Sequence, residues 1–137
     1  MTFDPEFWRV FHDGAITKLD GGVPGDVELF VEISYLRTMF PGNGEGFCVR
    51  LNECSFIEFS PFDQPVIQSL AAIEEAQPEV LYVQTLEPVT LGCTSGMLSF
   101  SYKTAQIFLD TGERISCEQL AQASHNYWSA WEKKRSK

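Results

Sequence analysis

Two adjacent side chains, His12 and Asp13, form the arrangement in this chain that most resembles an acid–base pair. A carboxylate beside an imidazole orients the ring and raises its basicity, which suits proton transfer. Neighbouring side chains face each other only where the backbone is unusual, and Asp before Gly is also an ordinary turn residue. The pair is therefore a candidate acid–base site, with a structural turn as the alternative interpretation.

The second histidine, His125, lies in the predicted last helix, two residues before Tyr127 and three before Trp128. A histidine among aromatic rings can line a pocket, although a half-buried helix histidine explains the same pattern. The candidate pocket consists of His12, Asp13, His125 and Trp128.

The cysteines show no spacing that indicates a metal site, a disulfide framework or a nucleophile. No two of them form a C-x-x-C pair, and we expect buried thiols. The helix dipole favours a thiolate at the start of a helix, yet no glycine-framed nucleophile elbow accompanies any cysteine or serine. We therefore predict no catalytic residue, no metal ligand and no cofactor. The four cysteines are Cys48, Cys54, Cys93 and Cys117.

One strand carries a clear alternation of apolar and acidic residues. Its apolar positions, Val27, Leu29, Val31 and Ile33, share one face, as in a sheet with one buried side. The other face carries an acidic and aromatic set that fits a basic protein partner. A solvated sheet face with one exposed ring is the alternative. The candidate partner-binding residues are Asp26, Glu28, Phe30 and Glu32.

The charge distribution argues against polyanionic partners. The 137 residues carry a net charge of −9, and residues 1–131, with 18 acidic and six basic side chains, carry −12. Such a body repels nucleic-acid phosphates and anionic membranes. The sequence shows no signal peptide and no apolar run near the roughly 18 residues of a membrane span, so we expect a cytoplasmic protein.

Residues 1–137 suit a single domain, because no linker or repeat divides them. Asp4 and Pro5 predict a helix start, with Phe3 packing on Trp8 and with Gly14 as its end.

Further along the chain, the strand of Val27 is predicted to run on through 35–37. Helical spacing begins at Val66 and ends before Pro78, and Ser116 with Gln119 forms a capping box before the last helix. The predicted fold is α+β: a mainly antiparallel twisted sheet of about six to eight strands, with helices at the N-terminus, middle and C-terminus packed on it.

Three segments carry a resemblance to a family. The run Phe11–Ile16, the acidic alternating strand and the run Asp110–Ser116 resemble small uncharacterised bacterial domains. Some domains of that kind are thought to be immunity proteins of contact-dependent or polymorphic toxin systems. The resemblance implies no catalytic residue, and it implies a stoichiometric acidic binder rather than an enzyme.

Three functional hypotheses follow. The first is a non-enzymatic, acidic protein-interaction module, such as an immunity-type inhibitor of a basic partner. The alternative is a small enzyme or ligand-binding domain with a pocket near His12, Asp13 and the C-terminal aromatic residues. A further alternative is a structural subunit of a homo-oligomer, with Trp128 and Trp131 buried at the interface; the sequence leaves the oligomeric state open.

Overall fold

The computed structural model describes residues 6–135 and confirms the α+β class, with nine antiparallel strands in two sheets. A 3₁₀ helix (Glu6–Phe11) precedes three α-helices: α1 (Ser34–Arg37), α2 (Leu70–Ala76) and α3 (Cys117–Arg135). The strands are β1 (Ala15–Gly21), β2 (Gly25–Glu32), β3 (Gly46–Cys54), β4 (Phe56–Pro61), β5 (Val80–Leu86), β6 (Val89–Cys93), β7 (Gly96–Ser101), β8 (Thr104–Leu109) and β9 (Arg114–Ile115).

The strands divide into sheet A, with order β1-β2-β3-β8-β9, and sheet B, with order β4-β7-β6-β5. Two chain segments pass from one sheet to the other: β3 leads into β4, and β7 leads into β8. These segments pair with each other, β3 with β8 in sheet A and β4 with β7 in sheet B. Glu53 takes a left-handed φ of 53° where the β3–β4 segment bends. Beside that bend, Lys103 N donates to Asn52 O at 2.9 Å. Because the chain bends here, the structure has two packed sheets where a single sheet was predicted.

The core lies between the two sheets and is closed at one end by the 3₁₀ helix. The alternation in β2 is confirmed, since Val27, Leu29 and Val31 are buried, as is Ile33 just after the strand. Phe7 and Phe11, which are four residues apart, are also buried. Trp8 packs on Phe100 of sheet B with ring centroids 4.9 Å apart, and Phe11 packs on Phe47 of sheet A at 5.8 Å. The helix thus ties the sheets together through aromatic rings.

The N-terminal helix ends differently from the sequence prediction. The left-handed residue after it is Asp13, with φ of 72°, and not Gly14. Gly14 is needed for close packing instead, because a Cβ there would stand 2.7 Å from Val31 Cγ1. The predicted contributions of Phe3, Asp4 and Pro5 lie outside the described residues.

Two predicted elements have other bounds in the structure. The chain after β2 forms the single-turn helix α1 rather than more strand, with Arg37 N donating to Ile33 O at 3.1 Å. Helix α2 begins at Leu70 instead of Val66, because Ile67 makes two backbone hydrogen bonds with Phe59 of β4 and so belongs to sheet B.

The capping box before α3 is confirmed in both directions. Ser116 N donates to Gln119 Oε1 at 2.7 Å, and Gln119 N donates to Ser116 Oγ at 3.0 Å. This reciprocal pair satisfies two backbone donors at the helix start. Within residues 6–135, no helix is long and apolar enough to cross a membrane.

Candidate functional site

His12 and Asp13 face each other, which adjacent residues do only on an unusual backbone. The left-handed conformation of Asp13 supplies that backbone and brings its Oδ2 to 3.3 Å from His12 Nδ1. Asp13 N donates to Val80 O at 2.6 Å, so sheet B holds the turn in place. The side chains of His12 and Asp13 remain 38% and 59% exposed, so solvent reaches the pair.

Aromatic rings from α1 and α3 pack around His12. Its ring lies 5.5 Å from that of Trp128, and the Tyr35 hydroxyl donates to His12 O at 3.1 Å. Tyr35 also packs on Tyr127, with ring centroids 4.6 Å apart. We call His12, Asp13, Tyr35, Tyr127 and Trp128 the His12 cluster. Sequence reasoning missed Tyr35, because it assigned that residue to a strand.

Burial raises the pKa of Tyr35 to about 12, with further contributions from Asp13 and Tyr127. The phenol therefore stays protonated at neutral pH and acts as the hydrogen-bond donor to His12 O. Ring separations in the cluster are those of packed aromatic side chains. The cluster thus fixes α3 against the end of the 3₁₀ helix.

His125 lies on the exposed surface of α3. Its ring is exposed, and its Nε2 lies 3.5 Å from Ser129 Oγ, one turn further along α3. The structure therefore brings together three members of the candidate pocket, His12, Asp13 and Trp128. The role of all four as a pocket stays a prediction.

The outer face of sheet A carries a row of residues that are aligned across all five strands. Each member lies directly opposite the next on the neighbouring strand: Lys18 opposite Phe30, Phe30 opposite Cys48, Cys48 opposite Phe108, and Phe108 opposite Arg114. We call Phe30, Cys48 and Phe108 the aromatic row. Their side chains are half-buried and lie on the side of the sheet away from the core. A cation stands at each end of this apolar centre.

Carboxylates from β1 and β2 flank the aromatic row. Glu28 lies opposite Asp20 of β1 on one side and Arg50 of β3 on the other. Glu32, at the end of β2, is exposed. A groove of about 450 Å³ runs along this half of the face, lined by Lys18, Asp20, Glu28, Leu29, Phe30, Cys48 and Asp110.

Asp26, one of the predicted partner-binding residues, also makes contacts within the fold. Its Oδ1 accepts a hydrogen bond from Glu53 N at 3.0 Å, and its Oδ2 lies 3.6 Å from Arg50 Nη2. Asp26 thus holds the β3 bend beside β2. Sequence reasoning found the acids on β2 but missed Asp20, Lys18 and Arg50, because strand register alone brings those residues beside them.

The thiol on this face is not activated as a nucleophile. Burial raises the pKa of Cys48, the carboxylates of Glu28 and Asp110 raise it further, and Lys18 opposes them. Burial also raises the pKa of Cys54, and it raises that of Cys93 to about 12. Cys54 and Cys93 are buried as expected, whereas Cys48 and Cys117 are half-buried.

A buried ion pair sits at the end of the same face. Arg37, whose side chain is 1% exposed, donates from Nε to Asp110 Oδ1 at 2.8 Å. Asp110 Oδ2 accepts from Glu45 N at 2.6 Å and from Gly46 N at 3.3 Å, and Arg37 Nη1 donates to Pro41 O at 3.1 Å. The pair therefore pins the glycine-rich loop 41–46 to the end of β8.

Across residues 6–135, no group of three or more His, Cys, Asp and Glu side chains is arranged to hold a metal ion. Comparisons with protein-family models, with curated proteins and with solved structures found no match. Function must therefore be argued from the two surfaces described above, the His12 cluster and the outer face of sheet A.

Proposed function

We propose that this protein is a non-enzymatic interaction module, and that the outer face of sheet A binds a basic protein. The single observation that carries the proposal is the aromatic row, an apolar centre in register across the sheet with carboxylates on its β1–β2 side. An apolar centre within a charged rim is the usual composition of a protein interface. In its more specific form, the protein is a bacterial, cytoplasmic, immunity-type inhibitor of a basic enzyme such as a nuclease toxin.

Charge supports a basic partner more than it supports other classes. Four carboxylates, those of Asp20, Asp26, Glu28 and Glu32, stand on β1 and β2 against one cation on those strands, Lys18. Two further cations of this face, Arg50 and Arg114, lie on β3 and β9. The net charge of −12 over residues 1–131 adds a long-range field of the same sign. Such a field speeds association with a basic protein and opposes nucleic acid and anionic membranes.

The test is capture of partners by the tagged protein from its own cell lysate at low and at high salt. We expect one basic protein in near-equal amount, weakened at high salt because screening reduces the attraction. The variant Glu28→Lys/Glu32→Lys should reduce this capture. The matched control, Glu75→Lys/Glu87→Lys, makes the same change of net charge at exposed positions outside sheet A.

The aromatic row has its own variant and control. Phe30→Ala/Phe108→Ala should weaken binding about tenfold or more, since aromatic anchors dominate interface energy. Phe62→Ala removes a ring that is 60% exposed on a loop after β4 and should leave capture unchanged. Equal capture by the wild type and all of these variants would show that the outer face of sheet A is not the contact surface.

A second candidate function, a small enzyme or ligand-binding domain, rests on the His12 cluster. The 3.3 Å contact between His12 and Asp13 beneath Trp128 is the observation that favours it. A small-molecule screen read by the NMR signals of these three residues tests it. Saturable shifts that Asp13→Asn abolishes would favour this candidate over the interaction module.

A further inference from the structure

The first half of β8 forms a sheet edge that no described strand covers. On one side, β8 pairs with β3 along its whole length. On the other side, β9 pairs only with Ile107 and Phe108, and the chain then leaves the sheet to begin α3. Thr104–Gln106 therefore line an open stretch of the edge.

Ala105 is the residue whose backbone faces this opening. Leu109 N donates to Glu113 O at 2.8 Å on the β9 side of the strand. Alternate residues of an antiparallel strand direct their backbone groups to the same side, so Ile107 and then Ala105 follow in that series. An extended chain lying beside β8 would thus meet the N–H and C=O groups of Ala105.

Three other strand edges of this fold, those of β1, β4 and β5, are covered or irregular. At the opposite edge of sheet A, Glu74 of α2 accepts a hydrogen bond from Leu19 N at 2.8 Å. The outer edge of β4 is paired with Ile67, and β5 carries two register shifts. Covering segments and bulges are the usual ways in which proteins prevent unwanted strand pairing. Among residues 6–135, no strand pairs with the outer side of Thr104–Gln106, and the β3–β8 pairing shows no register shift.

A cavity of about 650 Å³ lies along this open edge. Its walls are 103–107, β9 and the first turn of α3. Ala105 is half-buried there, whereas Ile107 and Ile115 are core residues that are only 2% and 5% exposed. The volume falls in the range of about 300–1,000 Å³ that is typical of ligand sites. The edge therefore opens into a groove rather than onto a flat surface.

The charges around the groove differ in sign from the rest of the protein. Lys103 and Arg114 line it against one carboxylate, Glu118, whereas the whole chain carries −9. Lys103 pairs with Glu53 at 3.8 Å, but both side chains are 71% exposed, so that contact competes weakly with a ligand. The groove is thus the complement of an acidic segment.

We propose that the open edge of β8 binds an extended, acidic peptide segment of another protein as an added strand of sheet A. Main-chain hydrogen bonds to Ala105 would supply the pairing, as in other cases of strand addition. Lys103 and Arg114 would select carboxylates. Arg114 borders both surfaces, but this proposal does not rest on the interaction module proposed above, because the strand pairing uses the backbone edge of β8 and not the outer face of sheet A.

The first test is an NMR titration of the full chain with the synthetic peptide acetyl-Glu-Val-Glu-Val-Glu-amide. We expect saturable shifts at the amides of 103–107 and 114–118. The peptide with lysine in place of glutamate should bind at least about fivefold more weakly, because of the groove's charge. The acidic peptide with N-methyl groups on its backbone should not bind, because it cannot pair with a strand.

Two variants separate strand pairing from charge. Ala105→Pro removes the N–H that faces the groove but leaves the β3–β8 ladder, and should weaken binding about tenfold. Lys103→Glu should reverse the preference between the acidic and basic peptides without disturbing the strand. The matched control, Lys134→Glu, changes an exposed charge at the far end of α3 and should bind like the wild type.

Three results would overturn the proposal. The first is no shift at these amides in millimolar peptide, and the second is equal binding of the N-methylated peptide. The third is a dimer in sedimentation that Ala105→Pro dissociates, which would assign the edge to a second copy of this chain. If Ala105→Pro fails to fold, Lys103→Glu and the N-methylated peptide still decide the question.

Discussion

Arg37 and Asp110, separated by 73 positions in the sequence, form a hydrogen-bonded ion pair with Nε and Oδ1 2.8 Å apart. The arginine is almost wholly buried, and its Nη2 finds no hydrogen-bond partner within the described part of the chain. Its charge is therefore compensated chiefly by Asp110. Removing one partner of a buried pair costs more than the pair contributes, because the other charge stays buried.

The variant Asp110→Asn should consequently destabilise the protein. We expect a loss of about 3 kcal/mol in the free energy of unfolding, measured by urea denaturation. Hydrogen exchange at the amides of Glu45 and Gly46 should also accelerate, because both donate to Asp110. As a control, Lys103→Ala breaks the exposed pair with Glu53 and should change stability by less than about 0.5 kcal/mol. Equal effects of the two variants would contradict the structural role of Asp110.

The same carboxylate should make stability depend on pH. Burial alone would raise the pKa of Asp110, but the hydrogen bonds from Arg37, Glu45 and Gly46 outweigh it and hold that pKa below its ordinary value of 3.8. The unfolded chain then binds the proton more readily than the folded one, so this contribution is present above pH 3.8 and is lost as the pH falls through the folded pKa. Denaturation at several pH values should show a steeper acid loss in the wild type than in Asp110→Asn. Parallel curves would refute this assignment.

Glu74 should protect the edge of β1, because its Oε1 accepts the N–H of Leu19 at 2.8 Å. Glu74→Ala leaves that donor without its acceptor and should lower the free energy of unfolding by about 1.5 kcal/mol. Alanine is the better helix former, so lower helix propensity in α2 would not explain such a loss. Glu74→Gln keeps the accepting oxygen and should stay within about 0.5 kcal/mol of the wild type. If both variants unfold at the same urea concentration, the hydrogen bond contributes nothing to stability.

The cysteines should differ in their reaction with iodoacetamide. With a pKa of about 12, on the order of one Cys93 thiol in 10⁴ is ionised at pH 8, and the side chain is also buried. Mass spectrometry of the native protein should find Cys93 and Cys54 unmodified while the half-buried Cys48 reacts slowly. All four should react in urea. Rapid native labelling of Cys93 would show that sheet B opens readily.

Local sequence patterns predicted the parts of this fold whose cause is local. The alternation along β2 predicted its buried face, since successive side chains of a strand point to opposite faces of the sheet. Ser116 and Gln119 predicted the start of α3, because both partners of the capping box lie within one helical turn. In contrast, α1 went unrecognised because its residues also fit a strand.

The candidate sites divide in the same way. The carboxylates of β2 were visible in the sequence, but Lys18, Asp20 and Arg50 come beside them only through the register of β1 and β3. His12 and Asp13 were adjacent in the sequence, yet their contact depends on the left-handed conformation of Asp13. Trp128 lies over His12 only because α3 packs across the end of the 3₁₀ helix.

The sequence by itself therefore determined the α+β class, the inward face of β2 and the net acidity. The tertiary structure decided the division into two sheets, the pairing of Arg37 with Asp110 and the open edge of β8. The physical reason is the range of the interactions. Side-chain periodicity and capping act within a few residues, whereas strand register and ion pairing join distant segments and are set only when the whole chain packs.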